Sequence, residues 1–141
     1  MNVFTYGSLM IPSVMSAVTG KNFRALKACL KEYARFKLKG ESYPGIVSRT
    51  GSAIEGMVHC DVDDLSLKLL DDFEGGLYQR VSVRVEVGHG GRLNAEAYII
   101  SLEHLHLMSS EPWDFDEFKK DHLQEFLRKY KGFSALSKQS R

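Results

Sequence analysis

Three carboxylates occur within a stretch of four residues: Asp71, Asp72 and Glu74. The apolar spacing before them predicts a helix that ends at the following pair of glycines. Glu74 then lies at the carboxyl end of this helix, where the dipole disfavours negative charge, and Phe73 and Leu77 offer it apolar surroundings. Both effects raise the pKa of a carboxyl group toward neutrality, which suits general acid–base chemistry. The alternative is a solvated acid at a helix end, and Asp71 and Asp72 are expected to be solvated and ionised.

A second candidate is the segment Tyr6-Gly7-Ser8-Leu9, here called the 6–9 loop, which connects a predicted strand to a predicted helix. Successive backbone N–H groups at such a junction can form a concave anion-binding site, aided by the helix dipole. Gly7 allows the backbone to come close to a ligand. The simpler interpretation is that Gly7 only turns the chain and Ser8 caps the helix. The phosphate-loop pattern is absent from the sequence.

Histidines and cysteines give weaker signals. His104 and His106 are two residues apart in a stretch that could be a strand, but a metal site needs at least one more ligand, and surface positions are favoured. Cys29 and Cys60 fit neither a metal-ligand nor a disulfide spacing and are predicted to be small buried side chains. We therefore predict no metal and no cofactor. A Ser–His–Asp triad at Ser8 stays open, although no GxSxG elbow surrounds that serine.

Hydrophobic periodicity predicts the elements that hold the 6–9 loop. A strand over residues 2–6 precedes a helix that Pro12 opens and Gly20 closes. Further along the chain, the predicted elements are extended segments at 28–38 and 53–61, with a turn or irregular loop between them at Tyr43-Pro44-Gly45.

The elements around the acidic segment follow from the same periodicity. Asp63 or Asp64 caps the helix that leads to Glu74. Residues 78–87 and 93–99 alternate strictly and are predicted to pair as a hairpin. Asp114 starts an amphipathic helix of about four turns whose apolar stripe is Phe115, Phe118, His122, Phe126 and Tyr130.

Strands and helices that do not alternate regularly, together with a hairpin, predict an α+β fold. The expected architecture is a small, mixed, mostly antiparallel β-barrel flanked by short helices. The chain has 141 residues, which is the size of one domain. We predict a single domain over residues 1–133 and a polar tail over 134–141.

Charge and hydropathy limit the classes of partner. The formal net charge is +1, with acidic and basic residues interleaved, which argues against a nucleic-acid partner. The most basic stretch, 21–39, is predicted to be the solvated side of strands. No apolar run reaches membrane length and no signal peptide is recognisable, so we expect a cytoplasmic location and no membrane partner. The oligomeric state is left open.

Four segments in order resemble the gamma-glutamylcyclotransferase-like family. They are VFTYGSLM at 3–10, YPGIV at 43–47, IEG at 54–56 and LDDFEGGLYQR at 70–80. The region around Trp113 is similar to the C-terminal part of the branch that includes plant avirulence-induced proteins and uncharacterised bacterial members. The resemblance covers roughly residues 2–100.

The resemblance implies a fold, a reaction and a set of residues. The fold is a small β-barrel with flanking helices, and the reaction cyclises a gamma-glutamyl amide to 5-oxoproline with release of a free amine. By resemblance, the 6–9 loop binds the gamma-glutamyl part, Glu74 is the catalytic acid/base, and Tyr78 lines the pocket. The partner is then a small gamma-glutamyl compound, and neither metal nor cofactor is needed.

Two other functions stay open at the level of sequence. One is a non-catalytic module of the same fold that binds a small carboxylate or a protein. The other is an amide hydrolase or acyltransferase that uses the same pocket, and a hydrolase would release glutamate instead of 5-oxoproline.

Overall fold

Five strands close into a barrel in the computed structural model, which describes residues 1–129. They are β1 (Val3–Thr5), β2 (Ala25–Leu38), β3 (Pro44–His59), β4 (Tyr78–Val87) and β5 (Gly91–Ile100). The ring runs β3-β1-β5-β4-β2 and closes between β2 and β3, and only the β1–β5 pairing is parallel. A sixth strand, β6 (Met108–Pro112), pairs with β2 outside the ring. The predicted α+β fold with a mostly antiparallel barrel is confirmed.

The longest strand pair corrects one prediction. Pro44 and Gly45 were expected in a turn, but they open β3 and pair with Lys37 and Phe36 of β2. Proline is tolerated as the first residue of a strand, because the missing N–H is not yet needed by the ladder. The segment predicted at 53–61 is the second half of this longer strand, and Tyr43 remains outside it.

Two apolar clusters divide the core. One lies inside the barrel and receives side chains from all five strands: Phe4, Tyr6, Ala28, Leu30, Ile46, Ile54, Val58, Val85, Ala95 and Ala97. The other lies between the barrel and the helices and includes Val3, Leu9, Val14, Met15, Leu70, Tyr98, Trp113 and Phe118. Because adjacent residues of a strand face opposite sides, β1 contributes Phe4 to the first cluster and Val3 to the second. The strand that leads into the 6–9 loop is therefore fixed on both faces.

Two helices precede β4. Helix α1 (Pro12–Thr19) begins with proline and ends at Gly20, which has φ +75°, as predicted. Helix α2 (Asp64–Glu74) begins at Asp63, whose side chain accepts a hydrogen bond from the Ser66 N–H. The structure thus chooses Asp63 over Asp64 as the cap.

A C-terminal helix over residues 115–129 follows β6. It starts as α3 (Phe115–Glu117), makes one π-helical turn at Phe118–His122 and continues over 123–129. The Asp114 side chain accepts a hydrogen bond from the Glu117 N–H at 2.9 Å, as predicted for the cap. Tyr130 and the proposed 134–141 tail lie outside the described residues, so the domain boundary stays a prediction.

The segment with the two neighbouring histidines is not a strand. Leu102–Leu107 forms 3-10 turns, because its backbone closes short-range bonds such as His104 N–H to Ser101 C=O at 2.9 Å. Within residues 1–129, no helix combines the length and the hydropathy that crossing a membrane would require.

The barrel depends on one glycine where β1 meets β3. A Cβ added to Gly56 would meet the Thr5 carbonyl oxygen and would lie 2.8 Å from Phe4 Cζ. We predict that Gly56→Ala lowers the free energy of unfolding by at least about 1–3 kcal/mol, because the two strands must separate. Urea denaturation measures this change. Gly76→Ala is the matched control, since nothing lies within 4 Å of its added Cβ; equal effects of the two substitutions would contradict the prediction.

Candidate active site

Glu74 is placed by the junction between α2 and β4. It is the last residue of α2, and Gly75, with φ +69°, ends the helix. A single 3-10 turn, Gly75–Leu77, then leads into β4 at Tyr78. Glycine is suited to the left-handed conformation that this reversal requires. Glu74, at the end of α2, and Tyr78, at the start of β4, are therefore only four positions apart in sequence.

All six predicted site residues line one cavity of about 360 Å³. The four residues of the 6–9 loop lie on the same cavity as Glu74 and Tyr78. The predicted juxtaposition of acid and loop is therefore present, while the roles assigned to these residues stay predictions. The rest of the lining comprises Phe4, Thr5, Tyr43, Pro44, Asp72, Phe73, Leu77, Tyr98, Phe126 and Lys129.

The carboxyl group of Glu74 lies in surroundings that disfavour its charge. The residue is half-buried and lines the cavity, and burial raises the pKa of its carboxyl to about 8. No hydrogen bond joins this carboxyl to any group within residues 1–129. A carboxyl group with a pKa near the ambient pH can both accept and return a proton.

The two neighbouring aspartates have different surroundings from Glu74. Asp71 Oδ1 lies 3.0 Å from Arg80 Nε and accepts a hydrogen bond from the Tyr98 hydroxyl at 2.7 Å. Asp72 is exposed at the rim of the cavity. Of the three carboxylates in the acidic segment, only Glu74 combines three features: it lines the cavity, it is shielded from solvent, and it has no partner in the described part of the chain.

Four tyrosines line the cavity around Glu74: Tyr6, Tyr43, Tyr78 and Tyr98. Burial raises the pKa of each phenol, and the charge of Glu74 contributes to the shift in every case. The phenols therefore remain neutral at physiological pH.

Three of these hydroxyls already donate to other groups. Tyr6 donates to the Tyr98 carbonyl, Tyr78 to the Pro44 carbonyl at 2.7 Å, and Tyr98 to Asp71. Their protons are thus held away from Glu74, which is left without a donor. The sequence analysis assigned no role to Tyr43 or Tyr98. Tyr98 lies in β5 on the face opposite to Ala95 and Ala97. A buried phenol there needs a hydrogen-bond partner, and this is the sequence signal that could have identified Tyr98.

The 6–9 loop presents free donors. No hydrogen bond within residues 1–129 uses the N–H groups of Gly7, Ser8 or Leu9. A Cβ at Gly7 would lie 3.0 Å from Pro44 Cγ, so glycine permits the loop to approach the β3 side of the cavity. Ser8 does not cap α1, whose N-cap is Ile11 without a side-chain bond, so the simpler interpretation of Ser8 is wrong. Free N–H groups on successive residues that line one cavity are the donors that an anion cradle requires.

Arg35 fixes the loop from behind. Its Nη1 donates to the Tyr6 carbonyl at 2.7 Å and to the Glu55 carbonyl at 3.2 Å. The C=O and N–H of one trans peptide point in opposite directions, so this bond turns the Gly7 N–H away from Arg35. The guanidinium also lies 5.2 Å from the ring centroid of Trp113. The sequence analysis missed this residue, because it predicted the basic stretch 21–39 to be solvated.

Other candidates from the sequence lie elsewhere. No histidine lines the cavity, so Ser8 has no histidine partner there. His104 is half-buried and His106 exposed, and the described residues contain no group of three side chains that could hold a metal ion. Cys29 and Cys60 are free and half-buried, not fully buried as predicted.

The pKa of Glu74 has a consequence for stability. The folded chain keeps a proton on Glu74 up to a pKa of about 8, whereas the unfolded chain releases it near the ordinary value of 4.5. Stability must therefore fall as pH rises through this window. We predict that Glu74→Gln removes this component, so the stability of wild type relative to the variant decreases between pH 4.5 and 8.

Urea denaturation of both proteins across this pH range measures the difference. His59, whose pKa burial lowers to about 4, changes stability in the opposite direction below its ordinary value of 6.5. The effect of His59 on stability is the same in wild type and in Glu74→Gln, so it cancels in the difference between the two free energies of unfolding. A difference that does not vary with pH would show that Glu74 is ionised in the folded chain.

Comparison with known proteins gives matches over most of the chain. The chain matches the family described as gamma-glutamyl cyclotransferase, AIG2-like, over residues 3–115. It is 34% identical over 131 residues to protein AIG2 C of Arabidopsis thaliana, covering 92% of this chain and 79% of that protein.

Solved structures share the architecture. A solution structure of an Arabidopsis thaliana protein superposes with a TM-score of 0.71 at 31% identity, covering 97% of this chain and 83% of that one. A structure of a gamma-glutamyl cyclotransferase superposes with a TM-score of 0.64 at 19% identity, covering 71% of this chain and 66% of that one, which is a likeness of fold. The chain belongs to the AIG2-like gamma-glutamyl cyclotransferase family.

Proposed function

We propose that this protein is a cyclotransferase that converts a gamma-glutamyl amide into 5-oxoproline and a free amine. The observation that carries the proposal is one cavity lined by the half-buried Glu74 carboxyl and by three N–H groups of the 6–9 loop, none of which has a hydrogen-bond partner within residues 1–129. Family membership supports the reaction class. The substrate supplies its own nucleophile, so this chain needs only to bind, orient and move a proton.

The reaction begins with the gamma-glutamyl group folded in the cavity. At neutral pH the α-amine of the substrate is an ammonium group, which cannot attack. Glu74, in its carboxylate form, removes one proton from this nitrogen. Holding the nitrogen and the γ-carbonyl close together removes most of the entropic barrier to ring closure.

Ring closure then proceeds through an oxyanion. The α-nitrogen forms a bond to the γ-carbonyl carbon, and the carbonyl oxygen becomes negatively charged. The N–H groups of Gly7, Ser8 and Leu9 can stabilise either this oxyanion or the α-carboxylate of the substrate. Glu74 returns its proton to the leaving nitrogen as the amide bond breaks. The ring nitrogen loses its second proton to the departing amine, which leaves as an ammonium ion. The products are 5-oxoproline and the free amine, with no net change in protons on the protein.

A second candidate is carboxylate binding without turnover. A Glu74 held protonated can donate a hydrogen bond to an anionic ligand, so its raised pKa favours this candidate as well. The two functions differ in what Glu74 must do: turnover requires the carboxyl to exchange its proton, whereas binding requires it only to donate. A glutamine can donate but cannot exchange a proton, so substitution separates the two functions.

We predict that Glu74→Gln lowers the rate of 5-oxoproline release at least about 100-fold, the usual contribution of a general acid–base group. The assay uses a panel of gamma-glutamyl amino acids, gamma-glutamyl amines and glutathione, with both 5-oxoproline and glutamate quantified. Asp64→Asn, which removes an exposed acid from the same helix, is the matched control and keeps the wild-type rate.

The panel distinguishes all three functions. Release of glutamate in place of 5-oxoproline would identify a hydrolase. Binding of a gamma-glutamyl compound by wild type and Glu74→Gln alike, with no product from either, would identify the binding module. A Glu74→Gln variant that forms 5-oxoproline at the wild-type rate would disprove the role of this residue.

A further inference from the structure

We propose that the C-terminal helix forms the subsite for the leaving amine and selects an aromatic or branched aliphatic group on its nitrogen. The inference rests on the proposed function and adds the chemical class of the leaving group. It follows from how the lining of the cavity is divided between polar and apolar residues.

The polar part of the cavity is already assigned to the gamma-glutamyl group. The 6–9 loop supplies the anion cradle, and the scissile nitrogen must lie beside Glu74 to receive its proton. The remaining lining includes the apolar side chains of Phe73, Leu77 and Phe126. Glu74 and these three apolar side chains line the same cavity, so a substituent on the leaving nitrogen can contact them.

Phe126 is held rigidly in this wall. Its ring lies 6.1 Å from that of Phe73 in an edge-to-face arrangement, with an interplanar angle of 77°. On its other side it meets the ring of Phe118 at 5.6 Å and 72°, and Phe118 is 1% exposed. A ring fixed between two others presents a preformed apolar surface, which a ligand can use without ordering it first.

Charge at the rim does not favour an ionic leaving group. Asp72 and Lys129 both line the opening and carry opposite charges. Lys129 Nζ also lies 3.4 Å from Glu125 Oε1 on its own helix, so its charge is already matched. Selection therefore depends on the apolar wall.

This wall extends beyond the segment that the family match covers. The family match ends at residue 115, and Phe126 lies beyond it. The cradle and the acid belong to the matched segment, whereas one side of the leaving-group subsite does not. Relatives that share the barrel can thus share the chemistry and differ in the amine that they release.

The test compares two substrates that differ only in the leaving group, gamma-glutamylphenylalanine and gamma-glutamylglycine. We predict that wild type prefers the first in kcat/KM by about tenfold or more, the usual discrimination of an apolar pocket. We expect Phe126→Ala to reduce the ratio of the two kcat/KM values at least about fivefold. The separate variant Phe126→Leu, which keeps a large apolar side chain, should retain most of the wild-type ratio. The full-length chain is used throughout, with 5-oxoproline as the product measured.

Leu127→Ala is the matched control. Leu127 is half-buried on the same helix and packs on the same core cluster, but it does not line the cavity. It should reproduce any loss of helix stability and leave the substrate ratio within twofold. Equal ratios for wild type and Phe126→Ala, with product formed from both substrates, would overturn this inference alone. No 5-oxoproline from any gamma-glutamyl compound would overturn the proposed function, and the inference with it.

Discussion

The site depends on the burial of one carboxyl group that has no ion-pair partner among residues 1–129. Glu74 ends a helix, where the dipole already disfavours its ionised form, and it faces a cavity lined mainly by aromatic and aliphatic groups. A nearby arginine would hold this group ionised, and the adjacent acid shows the difference: Arg80 pairs with Asp71, not with Glu74. Three of the four tyrosine hydroxyls around the cavity donate to groups other than Glu74. Absence of a partner within residues 1–129 is therefore what makes this acid suitable for proton exchange.

The barrel explains how the acid and its cradle meet. The 6–9 loop leaves β1, which is buried on both faces, and Glu74 enters through α2, whose Leu70 is fully buried in the cluster outside the barrel. Arg35 on β2 then binds the loop from the side opposite to the cavity. Trp113, which stacks on Arg35, also donates to the Ser42 carbonyl at 2.7 Å, next to the cavity residues Tyr43 and Pro44. The Arg35–Trp113 pair therefore connects both sides of the opening.

Much of this arrangement could be predicted from residue patterns. Strict alternation over 78–87 gave the hairpin, and the glycines after Glu74 placed that acid at a helix end. Local patterns could not show that Pro44 opens a strand, because its place is set by pairing with the distant Lys37. Local patterns also could not show that Arg35 supports the 6–9 loop, because the Tyr6 carbonyl that it binds is 29 residues away in sequence. Tyr43 and Tyr98 were missed for the same reason: an isolated tyrosine reveals its environment only when the chain has folded.

The most direct measurement is a titration of Glu74 itself in the folded protein. Carbon-13 NMR of glutamate labelled at its carboxyl carbon resolves individual groups, and the signal that is lost in Glu74→Gln identifies the one of interest. Our account predicts that this signal titrates with a pKa of about 8, well above the ordinary 4.5. A Glu74 signal that titrates near 4.5 would show an ionised, solvated carboxylate at neutral pH, and it would contradict the proton exchange on which the proposed reaction depends.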